Sequence, residues 1–355
     1  MIRRPSHSAA LAVLIALAAS TAAAQTPAPA PASGPYRVLH RTVTGGEGGW
    51  DYLTLDGAGH RVFMSRGTHV MVVDLRRDSL AGDIPSTPGV HGIALAPELG
   101  KGFTSNGRDS AVTIFDLRTL ATTGSVKVTG RNPDAILYDP ATRRVFTFNG
   151  GSGNATAIDA ARGTVAGTVA LAGKPEAAVL DGAGHVWVNI EDRSEIEEFD
   201  ARSLRSLGHW ALEGCEEPSG LAIDRAHGRL FSVCSNGTMA VTNLSTHRVV
   251  ATVPIGQGAD GAAFDPSTAM VFSSNGADGT MTVVHQDAPD RYRVVQTLAT
   301  QRGARTIALD PATHRVYTVT AELGTAPAAT PGNPRPRRPV LPGTFVLLTV
   351  GRGER

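Results

Sequence analysis

The segment DGAAFDPSTAMVFSSNG, residues 260–276, is one of seven related segments in this 355-residue chain. They share an alignment position that is aspartate in six of them, and successive copies are 40 to 45 residues apart. The aligned residues are Asp56, Ala96, Asp139, Asp181, Asp224, Asp265 and Asp310. A regular period of this length is typical of one supersecondary unit repeated along a chain. The sequence therefore predicts seven copies of one unit.

Each unit reads as four short strands. In the quoted copy, GAAF leads into Asp265-Pro266, where the aspartate caps the turn and the proline presets φ, and MVFSS follows as the second strand. Third strands such as MTVVHQ, residues 281–286, and fourth strands such as VVATVPI, residues 249–255, complete the unit. Four antiparallel strands in about 42 residues is the size of a propeller blade.

The seventh unit has only three strands of its own, the last being TFVLLTV, residues 344–350. Near the start of the chain, YRVLHRTVTGGEGGW, residues 36–50, matches YRVVQTLATQRGAR, residues 292–305, which is the fourth strand of unit six with its exit. A two-sheet sandwich would not need this circular permutation of the repeat. We therefore predict an all-β, seven-bladed β-propeller over residues 36–355, in which the N-terminal strand completes the last blade.

Second-strand phrases add a family resemblance. GFTSN, VFTFN, VFSSN and VYTVT, which end at residues 106, 149, 275 and 320, resemble the tetrapeptide signature of the YVTN, or YncE-like, family of exported bacterial propellers. The resemblance covers roughly residues 36–352. It implies a seven-bladed fold and an export route, and it implies no reaction, because function resides in sites grafted on a fold.

The first 35 residues have the features of a leader. Residues 1–24 contain Arg3 and Arg4, the apolar run AALAVLIALAAS, and small residues before Gln25, which is the order of a secretory signal peptide. The apolar run is too short to span a bilayer. Residues 25–35 form a Pro/Ala-rich tether. We expect a periplasmic or secreted protein without a transmembrane segment.

Composition restricts the partners. The chain has 33 basic and 32 acidic residues, and two of the basic ones lie in the leader, so the formal net charge falls from +1 to −1 on its removal. A net charge this close to zero does not favour binding to nucleic acid, which is a polyanion. Aromatic residues, at 5% of the chain, offer little for stacking on single strands. A small molecule, a metal ion or a protein partner remains.

Residues at one end of the propeller tunnel vary between units. The position five residues before each aligned residue is expected at the tunnel mouth, because the innermost strands all begin at the same end. This ring comprises Asp51, His91, Asp134, Glu176, Ser219, Asp260 and Arg305. The ends of the second strands add Asn106, Asn149, Glu191 and Asn275.

Four carboxylates at a narrow mouth raise one another's pKa unless a cation lies between them. Oxygen and amide ligands suit a divalent metal such as calcium, for which Asp134, Glu176 and Asp260 are the candidates. The set is similar in composition to the calcium sites of propeller lactonases. Three functions remain open: binding of a small ligand or metal ion, a metal-dependent hydrolase or lyase with His91 as candidate base, and a protein-interaction scaffold. The polar mouth could also be simply a solvent-exposed surface that binds no ligand.

Two further features lie on the same face. Cys215 and Cys234 are the two cysteines of the chain, and in an exported protein this predicts a disulfide, with a copper-ligating or redox pair as the alternative. A Pro/Arg-rich insertion, residues 325–343, separates the second and third strands of unit seven. Its Arg335, Arg337 and Arg338 could lie over the acidic mouth as a lid or as an anion contact, or the loop could simply be solvated.

Overall fold

The computed structural model describes Met1 and residues 34–330, 332, 334, 336 and 338–353. The predicted signal peptide apart from Met1, most of the tether, and Arg335 and Arg337 therefore lie outside the described residues. Within the described part of the chain, no helix is long and apolar enough to cross a membrane.

Seven antiparallel sheets of four strands confirm the predicted propeller. Blade one contains β2 (Leu53–Asp56), β3 (Arg61–Ser65), β4 (Val70–Asp74) and β5 (Ser79–Ile84). Blade two contains β6 (Val90–Ala96), β7 (Lys101–Asn106), β8 (Ala111–Asp116) and β9 (Thr122–Lys127). Blade three contains β10 (Pro133–Asp139), β11 (Arg144–Asn149), β12 (Asn154–Asp159) and β13 (Thr164–Ala170). Short 3₁₀ turns span Pro97–Leu99 and Glu191–Arg193.

The other four blades repeat this order. Blade four contains β14 (Pro175–Leu180), β15 (His185–Ile190), β16 (Glu195–Asp200) and β17 (Ser206–Ala211). Blade five contains β18 (Pro218–Asp224), β19 (Arg229–Cys234), β20 (Thr238–Asn243) and β21 (Arg248–Pro254). Blade six contains β22 (Ala259–Asp265), β23 (Met270–Asn275), β24 (Thr280–Ala288) and β25 (Arg291–Ala299). Blade seven contains β26 (Ile307–Asp310), β27 (Arg315–Thr320), β28 (Val346–Arg352) and β1 (Tyr36–Val43).

The N-terminal strand closes the ring as predicted. Strand β1 pairs antiparallel with β28, with Tyr36 opposite Arg352 and Val43 opposite Val346. The innermost strands then contact one another in cyclic order, β2 with β6 and so on to β26, which contacts β2. Closure leaves the innermost strand of each blade facing the tunnel.

Hydrophobic clusters fill all seven blade interfaces. Alternation along each second strand divides its side chains between two neighbours: on β3, Phe63 packs toward blade two, whereas Val62 and Met64 pack toward blade seven. The period-2 pattern of a strand buried on both faces explains why these runs are continuously apolar. Each blade therefore buries its apolar side chains fully only when both neighbouring blades are in place.

The repeated aspartates cap turns, on the side of the ring away from the mouth. Asp139 accepts from the backbone N–H groups of Ala141 (3.0 Å) and Thr142 (3.2 Å), and Asp265 accepts from that of Ser267 at 3.1 Å. Such aspartate turns satisfy backbone donors that the hairpin would otherwise leave unpaired. The internally repeated residues therefore specify blade geometry.

A second repeated contact joins neighbouring blades on that side, and we call it the interblade latch. The cation that begins the second strand of a blade donates to backbone carbonyls in the turn between the third and fourth strands of the next blade. The contacts are Arg61 to Leu117 (2.8 Å), Lys101 to Ala160 (3.3 Å), Arg144 to Ala201 and Arg202 (2.7 and 2.8 Å), and Arg229 to Pro289 (3.1 Å).

Arg66 holds the segment that connects blade seven to blade one. Its side chain is fully buried, and its guanidinium donates to the backbone carbonyls of Gly45 (3.0 Å), Glu47 (2.9 Å) and Gly48 (3.2 Å). It also lies over the ring of Phe345, 3.5 Å from the centroid. Burial lowers the pKa of Arg66 to about 10. A buried cation here takes backbone carbonyls as its partners.

The predicted disulfide is present. Cys215, in the loop entering blade five, is bonded to Cys234 at the end of β19, with the two Cα atoms 5.5 Å apart. This separation is ordinary for a disulfide. The bond ties the entry loop to the second strand on the same side of the ring as the tunnel mouth.

Candidate functional site

The predicted ring of polar residues lies at one end of the tunnel. Five members occupy the second position of their innermost strands, and Asp51 and Arg305 lie two residues before β2 and β26. The five are His91, Asp134, Glu176, Ser219 and Asp260. All seven ring residues are half-buried. The common register brings seven distant parts of the chain together, as the repeat alignment predicts.

Buried polar side chains on the second strands hold the backbone of this ring in place. Ser65 accepts from the Asp51 N–H at 3.0 Å and donates to the Tyr52 carbonyl at 3.2 Å. Elsewhere the donor lies on the second strand of one blade and the acceptor is a carbonyl of the next. These pairs are Ser105 to Asp134, Asn189 to Ser219 (2.9 Å) and Ser274 to Arg305. Such bonds preorganise the mouth.

Arg305 neutralises one side of the mouth. It donates to Asp260, to Asp51 Oδ1 at 3.3 Å, and to the Trp50 carbonyl at 2.7 Å. Ser219 also donates to Asp260. Burial lowers the pKa of Arg305, but the charges of Asp260 and Asp51 more than offset this and leave the pKa raised. Asp260 is thus already paired within the protein.

His91 lies between two carboxylates on the other side of the mouth. Its Nδ1 is 2.7 Å from Asp51 Oδ2 and 3.7 Å from Asp134 Oδ1. Burial lowers the pKa of His91, but the hydrogen bond to Asp51 and the charge of Asp134 outweigh burial, so the pKa is raised. Burial raises the pKa of Asp134 to about 6, against the opposing charge of His91. The cationic imidazole is therefore favoured.

Glu176 adds a third carboxyl beside this pair. Its Oε1 is 2.8 Å from Lys174 Nζ, and the same ammonium also contacts Glu191, so that one cation serves two carboxylates. Burial and the charge of Asp134 raise the pKa of Glu176 to about 8, because the shared ammonium compensates only in part. Sequence reasoning missed Lys174, although it lies only two positions before Glu176 in the loop that enters blade four.

Tyr52 is a second residue that sequence reasoning missed. It lines a cavity of about 170 Å³ within the tunnel, beneath the mouth, and packs against the hydrophobic cluster of blades three and four. Burial, with the charges of Asp134 and Glu176, raises its pKa well above the ordinary value. The corresponding positions of the other blades are Gly92, Ala135, Ala177, Gly220, Gly261 and Thr306. Among the equivalent positions of the seven repeats, Tyr52 is the one large residue, and this difference could have identified it from the sequence.

Three asparagines predicted at the mouth instead bond within their own blades. Each is fully or almost fully buried. Each side-chain amide donates to a threonine on the third strand of the same blade, and the carbonyl oxygen accepts from a hydroxyl two residues earlier. The donations are Asn106 to Thr113 (2.8 Å), Asn149 to Thr156 (2.9 Å) and Asn275 to Thr282 (2.9 Å). Their geometry assigns them to blade structure and not to the ligand-facing surface.

The described residues include one group suited to a metal ion. Donor atoms of Asp51, His91 and Asp134 all lie within 4.8 Å of one another. This set differs from the predicted Asp134, Glu176 and Asp260, since the last two pair with Lys174 and Arg305. An imidazole nitrogen beside two carboxylates suits zinc or manganese better than calcium, which prefers oxygen ligands only.

The base of the Pro/Arg-rich insertion adjoins the mouth face. Leu323 pairs with Val340 in an antiparallel bridge, which ties the two ends of the insertion together. A cleft of about 610 Å³ separates this base from the loop that leads to Arg305, and Arg302 and Arg338 line it. Arg338 is therefore on the predicted side of the ring, and its role as part of a lid stays a prediction.

Comparisons with known proteins support the fold. No protein-family model matches the chain, and no curated protein matches it. Among solved structures, Kuenenia stuttgartiensis hydrazine synthase is similar with a TM-score of 0.67 at 16% identity, covering 78% of this chain and 94% of that chain. The RRP9 WD40 repeats are similar with a TM-score of 0.73 at 10% identity, covering 91% and 99%. At these identities the similarity shows the fold alone, and the YVTN resemblance stays a prediction.

Proposed function

We propose that this chain is an exported binding protein that captures a positively charged ligand, either a metal ion or a small cationic molecule, at the tunnel mouth. The observation that carries the proposal is an excess of carboxylates there. Five of them, Asp51, Asp134, Glu176, Glu191 and Asp260, face three cationic groups, Arg305, Lys174 and His91. The disulfide suits an oxidising compartment outside the cytoplasm.

A bound cation would reduce the repulsion among the carboxylates of the mouth. Burial raises the pKa of Asp134 to about 6 and that of Glu176 to about 8, so Glu176 retains a proton at neutral pH and Asp134 retains one in mildly acidic solution, where a free carboxyl would lose it. A ligand with positive charge favours their ionised forms and displaces those protons. Binding should therefore strengthen as the pH rises from about 5 to about 8.

A thermal-shift titration tests the proposal. Zinc, manganese, calcium and simple ammonium salts are added to the mature protein at pH 8, and at least one should raise the melting temperature. A ligand present at 100 times its Kd stabilises a protein by about 2.7 kcal/mol. Asp134→Asn should abolish the rise, whereas Glu213→Gln, at an exposed carboxylate in the loop between blades four and five, should keep it. No shift with any of these cations, or an equal shift in Asp134→Asn, would contradict the proposal.

A second candidate, a metal-dependent hydrolase or lyase of the lactonase type, has one observation in its favour. The 2.7 Å hydrogen bond between Asp51 and His91 is the arrangement by which a carboxylate orients a histidine base. Because the pKa of His91 is raised, turnover would increase with pH as the imidazole loses its proton. Lactone and ester hydrolysis that tracks bound metal and is lost in His91→Gln would support this function. Metal-free protein as isolated, with no turnover after zinc or manganese is added, would refute it.

A further inference from the structure

We infer that the side of the propeller opposite the mouth docks on a membrane surface rich in anionic lipids, so that the mouth faces away from the lipid. We call it the turn side, because it carries the turns that join the first strand of each blade to the second and the third to the fourth. Two observations carry the inference: a ring of exposed arginines, and exposed aliphatic side chains beside that ring.

Exposed arginines recur on the turn side of every blade. In blade seven, Arg352 ends β28 and Arg37 lies near the start of β1, and both are exposed. Because equivalent positions of a radial repeat lie at equivalent heights, these cations share one plane at the rim. In the first six blades, an exposed arginine lies in or next to the turn between the third and fourth strands: Arg76, Arg118, Arg162, Arg202, Arg248 and Arg291.

The carboxylates of these turns bind the backbone, and the arginine side chains extend outward. Asp74 accepts from the backbone N–H of Arg76 at 2.8 Å, and Asp116 accepts from that of Arg118 at 3.0 Å. Both carboxylates are half-buried, whereas both arginines are exposed. Within the described part of the chain, the guanidinium groups that donate to no other residue include those of Arg76, Arg118, Arg202 and Arg248. Such a group can bind a phosphate from outside with two parallel hydrogen bonds.

The two ends of the ring differ in charge. The mouth has an excess of carboxylates, whereas exposed arginines outnumber exposed carboxylates on the turn side. In the part of the chain that the structure describes, each exposed carboxylate of the turn side already has a partner. The pairs are Asp78 with His40 (3.0 Å), Asp287 with Arg293 (3.0 Å), Asp290 with Arg229 (2.7 Å), and Glu98 with the Tyr138 hydroxyl. A chain with almost no net charge therefore presents one cationic face, which attracts an anionic surface.

Aliphatic side chains are exposed beside the arginines. Leu80, Val165, Leu207 and Val294, on the outermost strands, are between 39% and 53% exposed. Each follows an arginine of the ring by three to five residues. Three of them are the second residue of their strand, so they lie only about 3 Å above its end.

The aliphatic side chains decide between a membrane and a dissolved polyanion. Apolar groups of a membrane-bound protein reach about 5 to 10 Å into the boundary between headgroups and acyl chains. That depth includes the positions of Leu80, Val165 and Leu207 when the arginines contact the headgroups. A soluble acidic polymer offers nothing apolar for these side chains to contact, so the combination favours lipid.

Sedimentation with lipid vesicles tests the inference. The mature protein, in metal-free buffer with about 0.1 M NaCl, is mixed with vesicles of phosphatidylcholine or of phosphatidylcholine and phosphatidylglycerol in equal parts. We expect binding to the anionic vesicles only. Binding should weaken at least tenfold in about 1 M NaCl, where the screening length falls from about 10 Å to about 3 Å.

Two double variants with the same change in net charge locate the surface. Arg118→Gln/Arg202→Gln should weaken binding roughly 25-fold, because each arginine near an anionic surface contributes a factor of about five. Arg108→Gln/Arg302→Gln, at exposed positions on the mouth side, should change it less than about threefold. Equal losses in the two variants would show that the attraction is not localised, and the inference would be wrong.

A fluorescent label tests the orientation without removing an arginine. A polarity-sensitive dye on Leu207→Cys should shift to shorter wavelength when anionic vesicles are added, because this position enters the headgroup region. The same dye on Asp109→Cys, which is exposed on the mouth side, should not shift. Both labels replace exposed side chains, so this measurement stays decisive if the arginine variants do not fold.

Three outcomes would overturn the inference: no binding to anionic vesicles, a shift of the dye at Asp109→Cys only, or binding to dextran sulfate without binding to vesicles. The last would identify a soluble acidic polymer as the partner of the arginine ring. The proposed function is tested separately, since cation binding at the mouth is measured without lipid. Failure of either proposal therefore leaves the other standing.

Discussion

Replacing Arg66 tests whether a single buried guanidinium holds the ring closed. In Arg66→Ala, three hydrogen bonds from a charged donor are lost, each worth about 1.5 kcal/mol. The contact with Phe345 adds about 1.5 kcal/mol. Against this, the fall in the pKa of Arg66 to about 10 indicates that burying the charge costs about 3 kcal/mol, a cost that alanine avoids. We expect a net destabilisation of about 3 kcal/mol.

Guanidinium chloride unfolding, followed by tryptophan fluorescence, measures this difference. Trp50 lies on the connection that Arg66 holds, and its ring centroid is 5.6 Å from that of Phe345, so its emission should report the same transition. Arg66→Met retains much of the volume without the donors and should lose nearly as much stability as alanine. Arg76→Ala, at an exposed position of blade one, should change stability by less than about 0.5 kcal/mol. A methionine variant as stable as the wild type would show that packing, and not the carbonyl contacts, explains the buried arginine.

Three further predictions concern other parts of the ring. The double variant Cys215→Ser/Cys234→Ser should lose about 3 kcal/mol by calorimetry, because a loop of about 20 residues is freed in the unfolded state, and a reductant should destabilise only the wild type. Since the pKa of Glu176 is raised from its ordinary value to about 8 in the folded state, the folded protein binds a proton that the unfolded chain releases; melting temperatures in metal-free buffer should fall between pH 5 and 8, and Glu176→Gln should reduce that slope. Arg144→Ala removes an interblade latch and should cost about 1 to 2 kcal/mol in urea unfolding, whereas Arg162→Ala, at an exposed ion pair, should cost less than about 0.5 kcal/mol.

The fold could be predicted from the sequence because the repeat leaves a visible record at three levels. The period gave the number of blades, Asp-Pro and Asp-Gly pairs marked the first turn in five of the seven, and the match between residues 36–50 and 292–305 located the closing strand. The interblade latch was as regular, since Arg61, Lys101 and Arg144 stand at the same place in their units. It went unrecognised because its acceptors are backbone carbonyls, which any residue supplies.

The candidate site was predictable in position and not in pairing. Register alone placed Asp51, His91 and Asp134 at one end of the tunnel, because equivalent residues of a repeat occupy equivalent places. Which carboxylate binds Arg305 and which binds His91 depends on side-chain reach across the ring, which the repeat does not encode. The third partner, Lys174, enters from a loop outside the repeated phrase.

For the three asparagines, the predicted position at the end of the second strand was correct, but the side chains bond to the third strand of their own blade and not to the mouth. Strand alternation at the end of a second strand is easily shifted, and Asn106 turns toward its own third strand. A signal was present: in all three cases a serine or threonine lies two residues before the asparagine and a threonine seven residues after it. Thr104 and Thr113 supply the hydroxyls in blade two. This pattern indicates a hydrogen-bonded pair of strands in which no amide is left for a ligand.

The pairing of β1 with β28 has a kinetic consequence. The side chains of Tyr36 and Arg352, which meet in the last blade, are 316 residues apart in the chain. At the usual rate of synthesis, the first strand waits roughly 15 to 60 seconds for its partner to be made. Until then β1 presents an unpaired edge, which can join the complementary strand of another molecule. Pairing of β1 with β28 within one chain therefore competes with strand exchange between chains. A higher local concentration of newly made protein favours the exchange.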